Sequence, residues 1–339
     1  MINLKPINEQ VVVVAGASSG IGRATALAFA RRGAKVMVSA RGEPGLQSLV
    51  DEIRQSGGQA TSQAADVAVF DEVKALADTA AEVYGRIDTW VHCAAVAVYA
   101  TFEQTTPDEF KRVIDVNLLG QAYGAMATLP HLRRTGGGAL IHISSVEARR
   151  ALPYHSAYAA SKHGIEGFLD AMRMELQHEG APISVTNIMP ASINTPFFDK
   201  ARTKLGVKPM GVPPIYQPDI VVDAILYAAE HPVRDIVVGG AGKIISTTQR
   251  LSPRLMDAML SRTAFEGQRT EQPKGADAPN SLFEPISGYD RVEGSFSDQA
   301  LQHSTSNWLD KHPATRDFAL GAALVGGAVL ALRALQGND

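Results

Sequence analysis

The sequence is poor in cysteine and carries no excess of basic charge. Cys93 is the only cysteine among 339 residues. A single cysteine excludes an intramolecular disulfide and a cysteine-based zinc site, and it is typical of a reducing compartment. Lys and Arg number 32 against 35 Asp and Glu, which gives a formal net charge of −3. This balance argues against a nucleic-acid partner, because such proteins present a basic surface.

Long apolar runs are also scarce. Residues 1–9 hold no apolar stretch of signal-peptide length, so we expect a cytoplasmic location. The exception is 318–332, which is uncharged and precedes Arg333. A helix of this length would be about 22 Å long, short of the ~30 Å hydrocarbon core unless the residues to 335 join it. Three alternatives stay open for 318–335: a helix that docks on protein, a tail anchor with membrane contact, and an interfacial or disordered segment.

The first 265 residues have the pattern of an α/β protein. Short β-branched runs alternate with longer helical patterns, as in βαβ units that build a parallel sheet covered by helices on both faces. The sequence predicts a Rossmann-type doubly wound sheet of about seven strands, at Val11–Ala15, Lys35–Ala40, Ala60–Ala65, Ile87–Ala95, Ala139–Ser144, Ile183–Ile188 and Ile236–Val238. Thr106-Pro107-Asp108-Glu109 adds the signature of a helix N-terminus with a capping box.

The composition changes after residue 265. Residues 266–306 are rich in Gln, Pro, Gly, Ser and Asp, and their apolar side chains are too scattered to form a second core. We interpret 266–306 as a polar, disordered linker that leads to a C-terminal segment at 307–339. Since every candidate reacting or cofactor residue lies earlier in the chain, the extension is expected to be dispensable for chemistry.

A glycine-rich turn follows the first predicted strand and opens a helix. Glycines in such a turn let the backbone approach a pyrophosphate, and the helix N-terminus offers free N–H groups. The motif predicts dinucleotide binding, although a glycine-rich turn without a ligand has the same local pattern. Its residues are Gly16, Ser18, Ser19, Gly20, Ile21 and Gly22.

A second group of residues has the chemistry of an acid–base site. Tyr158 and Lys162 are four residues apart on a predicted helix, so the ammonium can lie near the phenol and lower its pKa. Ser144 and Ser145 close a predicted strand, where parallel sheets hold their ligands. Each serine hydroxyl can hydrogen-bond a substrate oxygen, or can simply cap the strand end.

The glycine turn, Asn117, Ser145 and the Tyr158-Ala-Ala-Ser-Lys162 run together resemble the short-chain dehydrogenase/reductase family over about residues 7–265. The interval of thirteen residues between Ser145 and Tyr158 favours Ser145 over Ser144. The resemblance implies an NAD(P)-binding catalytic domain at 7–265 with Asn117, Ser145, Tyr158 and Lys162 as catalytic residues. It also implies that Tyr158 and Lys162 contact the cofactor, and that Asn117 holds a water in a proton relay through Lys162. A buried Asn satisfied by backbone is the alternative.

The resemblance also assigns further cofactor contacts. Arg41 follows the second strand, where it can pair with a 2′-phosphate, so NADP is favoured over NAD. The remaining implied contacts are Asp66, Val67, Ala94, Ile193 and Thr195. The sequence departs from the family pattern at two positions, because it has Ala95 and Ala191 where the family usually has glycine. The methyl of Ala95 is expected to crowd the cofactor.

The expected function is reversible, NADP-dependent interconversion of a ketone or aldehyde and an alcohol. An apolar segment at 197–217, with Tyr99 and Phe102 as an aromatic wall, indicates an apolar small-molecule substrate. No metal is expected, and His92 and His142 are interpreted as satisfied core residues. The family resemblance implies a homo-oligomer. The alternative function is a tethered or scaffold NADP-binding protein without turnover.

Overall fold

The computed structural model describes residues 2–304. The strands are β1 Val11–Ala15, β2 Lys35–Ala40, β3 Gln59–Ala64, β4 Thr89–His92, β5 Val98–Tyr99, β6 Gly138–Ile143, β7 Ile183–Pro190, β8 Arg202–Thr203, β9 Val207–Pro209, β10 Asp235–Val238 and β11 Arg269–Pro273. The helices are α1 Gly20–Arg31, α2 Glu43–Gln55, α3 Phe70–Tyr84, α4 Pro107–Ile114, α5 Gly120–Thr135, α6 Ser156–His178, α7 Phe197–Lys200, α8 Asp219–Glu230, α9 Gly240–Leu251 and α10 Pro253–Thr263.

Seven of these strands form one parallel sheet in the order β10-β7-β6-β4-β1-β2-β3. The strand order reverses between β1 and β4, which pair in parallel from Val12 against Thr89 to Ala15 against His92. Helices leave these two strands toward opposite sides, so their carboxyl ends border a crevice. The predicted doubly wound α/β fold is confirmed.

The helices cover both faces of the sheet because both faces are apolar. Every residue of β1 is buried, as its unbroken valine run predicts for a central strand. Helices α1, α2 and α8 pack on one face, and α3, α5 and α6 pack on the other. The capping box is confirmed: Thr106 accepts a hydrogen bond from the Glu109 amide, and the Glu109 carboxylate accepts one from the Thr106 amide.

The extension differs from the predicted linker. Within its described part, 266–304, β11 pairs antiparallel with β9. The Leu282 side chain is 1% exposed and packs with the α3–α5–α6 side of the core, while Phe296 is 6% exposed and packs against Phe198. These apolar residues build no core of their own, as the composition indicated, but they insert into clusters that the first 265 residues form. The domain boundary at 265 stays a prediction.

The apolar segment 318–335 lies outside the described residues, as does the whole of 307–339. Across residues 2–304, no helix has the length and hydropathy needed to cross a membrane.

Candidate active site

A cavity of about 470 Å³ lies at the carboxyl ends of the central strands. The sequence-predicted residues that line it are Gly16, Ser18, Ser19, Gly20, Ile21, Gly22, Arg41, Asp66, Val67, Ala94, Ser145, Tyr158, Lys162, Ile193 and Thr195. The fold therefore brings together side chains that the sequence separates by up to 179 positions, from Gly16 to Thr195. Asn117 is the predicted site residue that does not line the cavity.

The glycine turn forms the floor of one end. Gly16 has a φ of +86°, and a Cβ there would overlap the Ala94 amide nitrogen and lie 2.6 Å from the Ala94 Cα. A Cβ on Gly22 would overlap the Gly16 carbonyl oxygen and lie 2.8 Å from its carbonyl carbon. The turn is thus a cradle without side chains that opens onto the N-terminus of α1, which fits a pyrophosphate.

Ser145, Tyr158 and Lys162 meet at the other end of the cavity. Ser145 follows β6, and Tyr158 and Lys162 lie in the first turns of α6. The Lys162 ammonium is buried, donates a hydrogen bond to the Ile143 carbonyl at 2.9 Å, and lies 5.3 Å from the centre of the Tyr158 ring. The three groups that the spacing selected are therefore neighbours.

The pKa of Tyr158 departs from the prediction. Burial raises the pKa of this phenol well above its ordinary value, the Glu147 carboxylate adds to the rise, and a hydrogen bond with Ser145 opposes it. Burial also lowers the pKa of Lys162 to about 7. In the protein alone the phenol pKa is thus raised and not lowered as predicted, because loss of water destabilises the phenolate.

Sequence reasoning missed a buried acid–imidazole pair beside the phenol. The Glu147 carboxylate lies 2.6 Å from His155 Nδ1, and both side chains line the cavity. The His155 ring lies 5.5 Å from the Tyr158 ring and 4.2 Å from the Tyr99 ring, measured between centres. Glu147 lies in a short 3-10 helix and His155 directly precedes α6, eight residues later, so no periodicity signals the pair.

Asn117 lies in a π-helical turn between α4 and α5. Its side-chain oxygen accepts from the Val96 amide at 2.8 Å, and its amide nitrogen donates to the Val96 carbonyl at 2.9 Å and to Ser161 Oγ at 3.3 Å. The geometry is that of a buried Asn satisfied largely by backbone. Both hydrogens of its amide nitrogen are engaged, so any water that Asn117 holds in a relay has to donate to one of its oxygens.

Arg41 and Asp66, two of the residues expected to contact the cofactor, are already paired within the chain. Arg41 donates to the Ser281 carbonyl at 2.5 Å and to the Phe283 carbonyl at 2.6 Å. Asp66 accepts from the Ala68 amide at 3.0 Å and forms an ion pair with Arg112 at 2.6 Å. The extension thus borders the cavity, so its expected dispensability does not match its position.

Lys200 is a further residue that sequence reasoning missed. Its ammonium donates to Ser19 Oγ at 2.6 Å, which places a cation at the glycine turn. Burial lowers its pKa to about 8, and the nearby Asp290 carboxylate opposes that change. The sequence around Lys200 does not indicate a role in the site, because only the packing of α7 against the glycine turn places its ammonium beside Ser19.

The two alanines that depart from the family pattern cause no backbone strain. Tyr154 is the one non-glycine residue with positive φ among residues 2–304, so Ala95 and Ala191 have conformations open to any residue. Both line the cavity. Because Ala95 lines the cavity, the expected crowding of the cofactor by its methyl stays a prediction.

The two core histidines are only partly satisfied. His142 Nδ1 lies 2.7 Å from Gln121 Oε1, while both ring nitrogens of His92 lack a hydrogen-bond partner within the described part of the chain. Burial lowers the pKa of His142 to about 3 and that of His92 well below its ordinary value, so both are neutral. No metal-binding cluster of His, Cys, Asp or Glu occurs among the described residues.

The substrate end is mainly apolar. Leu152, Phe197, Phe198 and Val212 line it, and Tyr99 contributes a fully buried ring. Phe102 is 73% exposed and does not line the cavity, so the predicted aromatic wall consists of Tyr99 without it.

Comparison with known proteins agrees with this site. Residues 10–206 match the family model described as short chain dehydrogenase, which covers more than half of the chain. The chain belongs to the short-chain dehydrogenase family. It is therefore an oxidoreductase that uses a nicotinamide dinucleotide.

Individual relatives carry names of oxidoreductases. An uncharacterised oxidoreductase of Bacillus subtilis, YxnA, is 37% identical over 97% of this short-chain dehydrogenase and 91% of its own length. A 3beta-hydroxysteroid dehydrogenase of Mediterraneibacter gnavus is 34% identical over 58% of this chain and 71% of its own. The structure of an alcohol dehydrogenase from the archaeon Thermococcus sibiricus, complexed with 5-hydroxy-NADP, has a TM-score of 0.60 at 26% identity and covers 68% of this chain and 95% of its own. The alignment with YxnA includes most of the extension.

Proposed function

We propose that this short-chain dehydrogenase interconverts an apolar ketone or aldehyde and the corresponding alcohol with NADP(H) as cofactor. The observation that carries the proposal is the meeting of Ser145, Tyr158 and Lys162 at one end of a cavity whose other end is the glycine turn. A substrate beside Tyr158 can therefore face a dinucleotide whose pyrophosphate lies at the glycine turn.

The roles of the residues follow from their protonation. Ser145 donates a hydrogen bond to the substrate oxygen, and Tyr158 gives that oxygen its proton during reduction. With its pKa raised by burial, the phenol is protonated at neutral pH and so holds the proton that it gives to the substrate oxygen. Lys162, with a pKa lowered to about 7, exchanges protons near neutrality through a relay that Asn117 orders. The nicotinamide, when bound, supplies or accepts the hydride.

The chemistry is tested by a panel of apolar ketones, aldehydes and secondary alcohols, each assayed with NADPH and NADH. We expect turnover of apolar members, because Leu152, Phe197, Phe198 and Val212 line the substrate end. The hydroxysteroid dehydrogenase named among the relatives supports the inclusion of steroids in the panel. Binding of cofactor without turnover across the whole panel would favour the scaffold alternative instead.

NADP preference rests on Arg41, whose guanidinium can fork onto a 2′-phosphate. Arg41→Asp is expected to weaken NADPH by at least about tenfold more than NADH, since the new carboxylate repels the phosphate. Titration of both cofactors by fluorescence measures the two losses. If NADPH and NADH lost affinity equally, the role of Arg41 would be structural, namely to bind the Ser281 and Phe283 carbonyls.

We also propose that the protein is a homo-oligomer and is cytoplasmic. Pairing of α5 and α6 between copies would cover Met126, which is exposed, but Met172 and Leu176 are buried in the core of their own chain and are unavailable for contact. A cytoplasmic location is proposed from the single cysteine.

A further inference from the structure

One segment of the extension, residues 281–291, crosses the mouth of the cavity at the adenosine and phosphate end. We call it the strap. The strap residues that line the cavity are Ser281, Pro285, Ile286, Ser287 and Asp290. The neighbouring lining consists of Ser18, Ser19, Arg41, Gly42, Pro44 and Gly45. The same cavity wall therefore combines the glycine turn with a segment that follows the whole Rossmann-type unit in sequence.

The first end of the strap is fixed by two guanidinium groups and one buried side chain. Arg41 donates to the carbonyls of Ser281 and Phe283, and Arg112 donates to the carbonyl of Leu282 at 3.1 Å. Between these carbonyls the Leu282 side chain inserts into the core and is 1% exposed. Phe283, the next residue, is 46% exposed. Leu282 is thus the apolar anchor of this end.

The second end is fixed to the glycine turn itself. The Gly20 amide donates to the Arg291 carbonyl at 2.9 Å. The Arg291 guanidinium lies 3.4 Å from an Asp199 carboxylate oxygen. Asp290 packs so closely on α2 that a Cβ on Gly45 would lie 3.1 Å from the Asp290 Cγ and overlap a carboxylate oxygen. Both ends are held, and the residues between them bridge the mouth.

The strap engages two donors that a dinucleotide needs. The amide of Gly20 is one of the free N–H groups at the N-terminus of α1, where a pyrophosphate binds. Arg41 is the candidate partner of the 2′-phosphate. Both are bonded to neutral carbonyl oxygens of the strap, which are weaker acceptors than phosphate oxygens. A bound dinucleotide competes for the same donors, so these strap contacts must break or be shared when it enters.

We propose that the strap is part of the dinucleotide site and gates it, so that the cofactor enters and leaves only when residues 281–291 open. This inference rests on the proposed NADP(H)-dependent function. It also reverses the expectation that the extension is dispensable for chemistry, because it gives 281–291 a direct role in cofactor exchange.

The test compares Leu282→Ala with the matched control Leu301→Ala in the full-length protein. Leu282→Ala removes the buried anchor, whereas Leu301→Ala makes the same change at a 47% exposed residue of the extension that lies outside the strap and does not line the cavity. We expect NADPH to leave Leu282→Ala about tenfold or more faster than the wild type, because a weakened anchor raises the open population. We expect it to leave Leu301→Ala within about twofold of the wild-type rate. Stopped-flow fluorescence, with release trapped by excess NADP, measures both rates.

The release rate of NADH distinguishes an effect of the strap from an effect of the 2′-phosphate. NADH lacks that phosphate, so a gate predicts the same acceleration for NADH as for NADPH. A wild-type rate in Leu282→Ala, or an acceleration confined to NADPH, would overturn the gate. If Leu282→Ala does not fold, Leu282→Val takes its place, because it removes less of the anchor. We expect it to accelerate the release of both cofactors by a smaller factor. An unchanged release rate would again contradict the gate.

The two proposals fail in different ways. A wild-type protein that binds neither NADPH nor NADH would overturn the proposed function and the gate together. A wild-type protein that binds and turns over its substrate, with release rates unchanged in the Leu282 variants, would overturn the gate alone.

Discussion

Tyr158→Phe is expected to lower kcat by about a thousandfold while leaving NADPH affinity within about threefold of the wild type, because general acid catalysis contributes typically 10²–10⁴-fold. The substitution removes the oxygen that gives the proton and keeps the ring that packs against Phe197 and His155. Single-turnover reduction of a substrate from the ketone panel, with NADPH in excess, measures the chemical step separately from product release.

Tyr84→Phe is the matched control for this variant. It also removes a phenolic oxygen, one that donates to Thr61 Oγ1 at 2.9 Å outside the cavity. We expect Tyr84→Phe to retain the wild-type kcat. If Tyr158→Phe kept most of the wild-type rate on a proven substrate, Tyr158 would not be the acid, and the proton would have to come from another group at that end of the cavity.

Gly22→Ala is expected to weaken binding of NADPH and NADH alike, by on the order of 100-fold, because misplacement of binding groups by about 1 Å has effects of that size. The added Cβ meets the Gly16 carbonyl, which is backbone and cannot rotate away. The turn must shift, and with it the N–H groups at the start of α1. Cofactor titration measures the loss, and thermal unfolding measures any change in stability.

Gly167→Ala makes the same chemical change within α6, where a Cβ would have no neighbour within 4 Å. Alanine is favoured over glycine inside a helix by roughly 0.5–1 kcal/mol, so this variant is expected to be as stable as the wild type or more stable, with unchanged cofactor affinity. Wild-type affinity in Gly22→Ala would show that the turn is not closely fitted to the pyrophosphate.

Most of the fold was predictable because its signals are local. The valine run of β1, the alternation of strands with helices and the capping box at Thr106 each depend on residues close together in sequence. The glycine turn and the Tyr158–Lys162 pair were predictable for the same reason, since a turn or one helical face brings their residues together. Their gathering around one cavity follows from the parallel sheet, whose carboxyl ends share one edge.

The extension was misjudged because its stability is not local. A segment rich in Gly, Pro and Ser with scattered apolar residues looks like a linker when it is considered alone. Leu282 and Phe296 are buried against surfaces supplied by residues far earlier in the chain. Composition counts the apolar side chains of a segment, but it does not show which preformed surface receives them.

The sequence by itself determined the α/β fold, the glycine turn and the identity of the groups that can do acid–base chemistry, because each follows from residue type and short-range spacing. Only the tertiary structure decided the state of those groups. Burial, which depends on every element packed around the site, raises the pKa of Tyr158 and lowers that of Lys162 to about 7. Tertiary structure alone also placed the strap over the glycine turn and Arg41, since contacts between residues about 240 positions apart leave no periodic trace in the sequence.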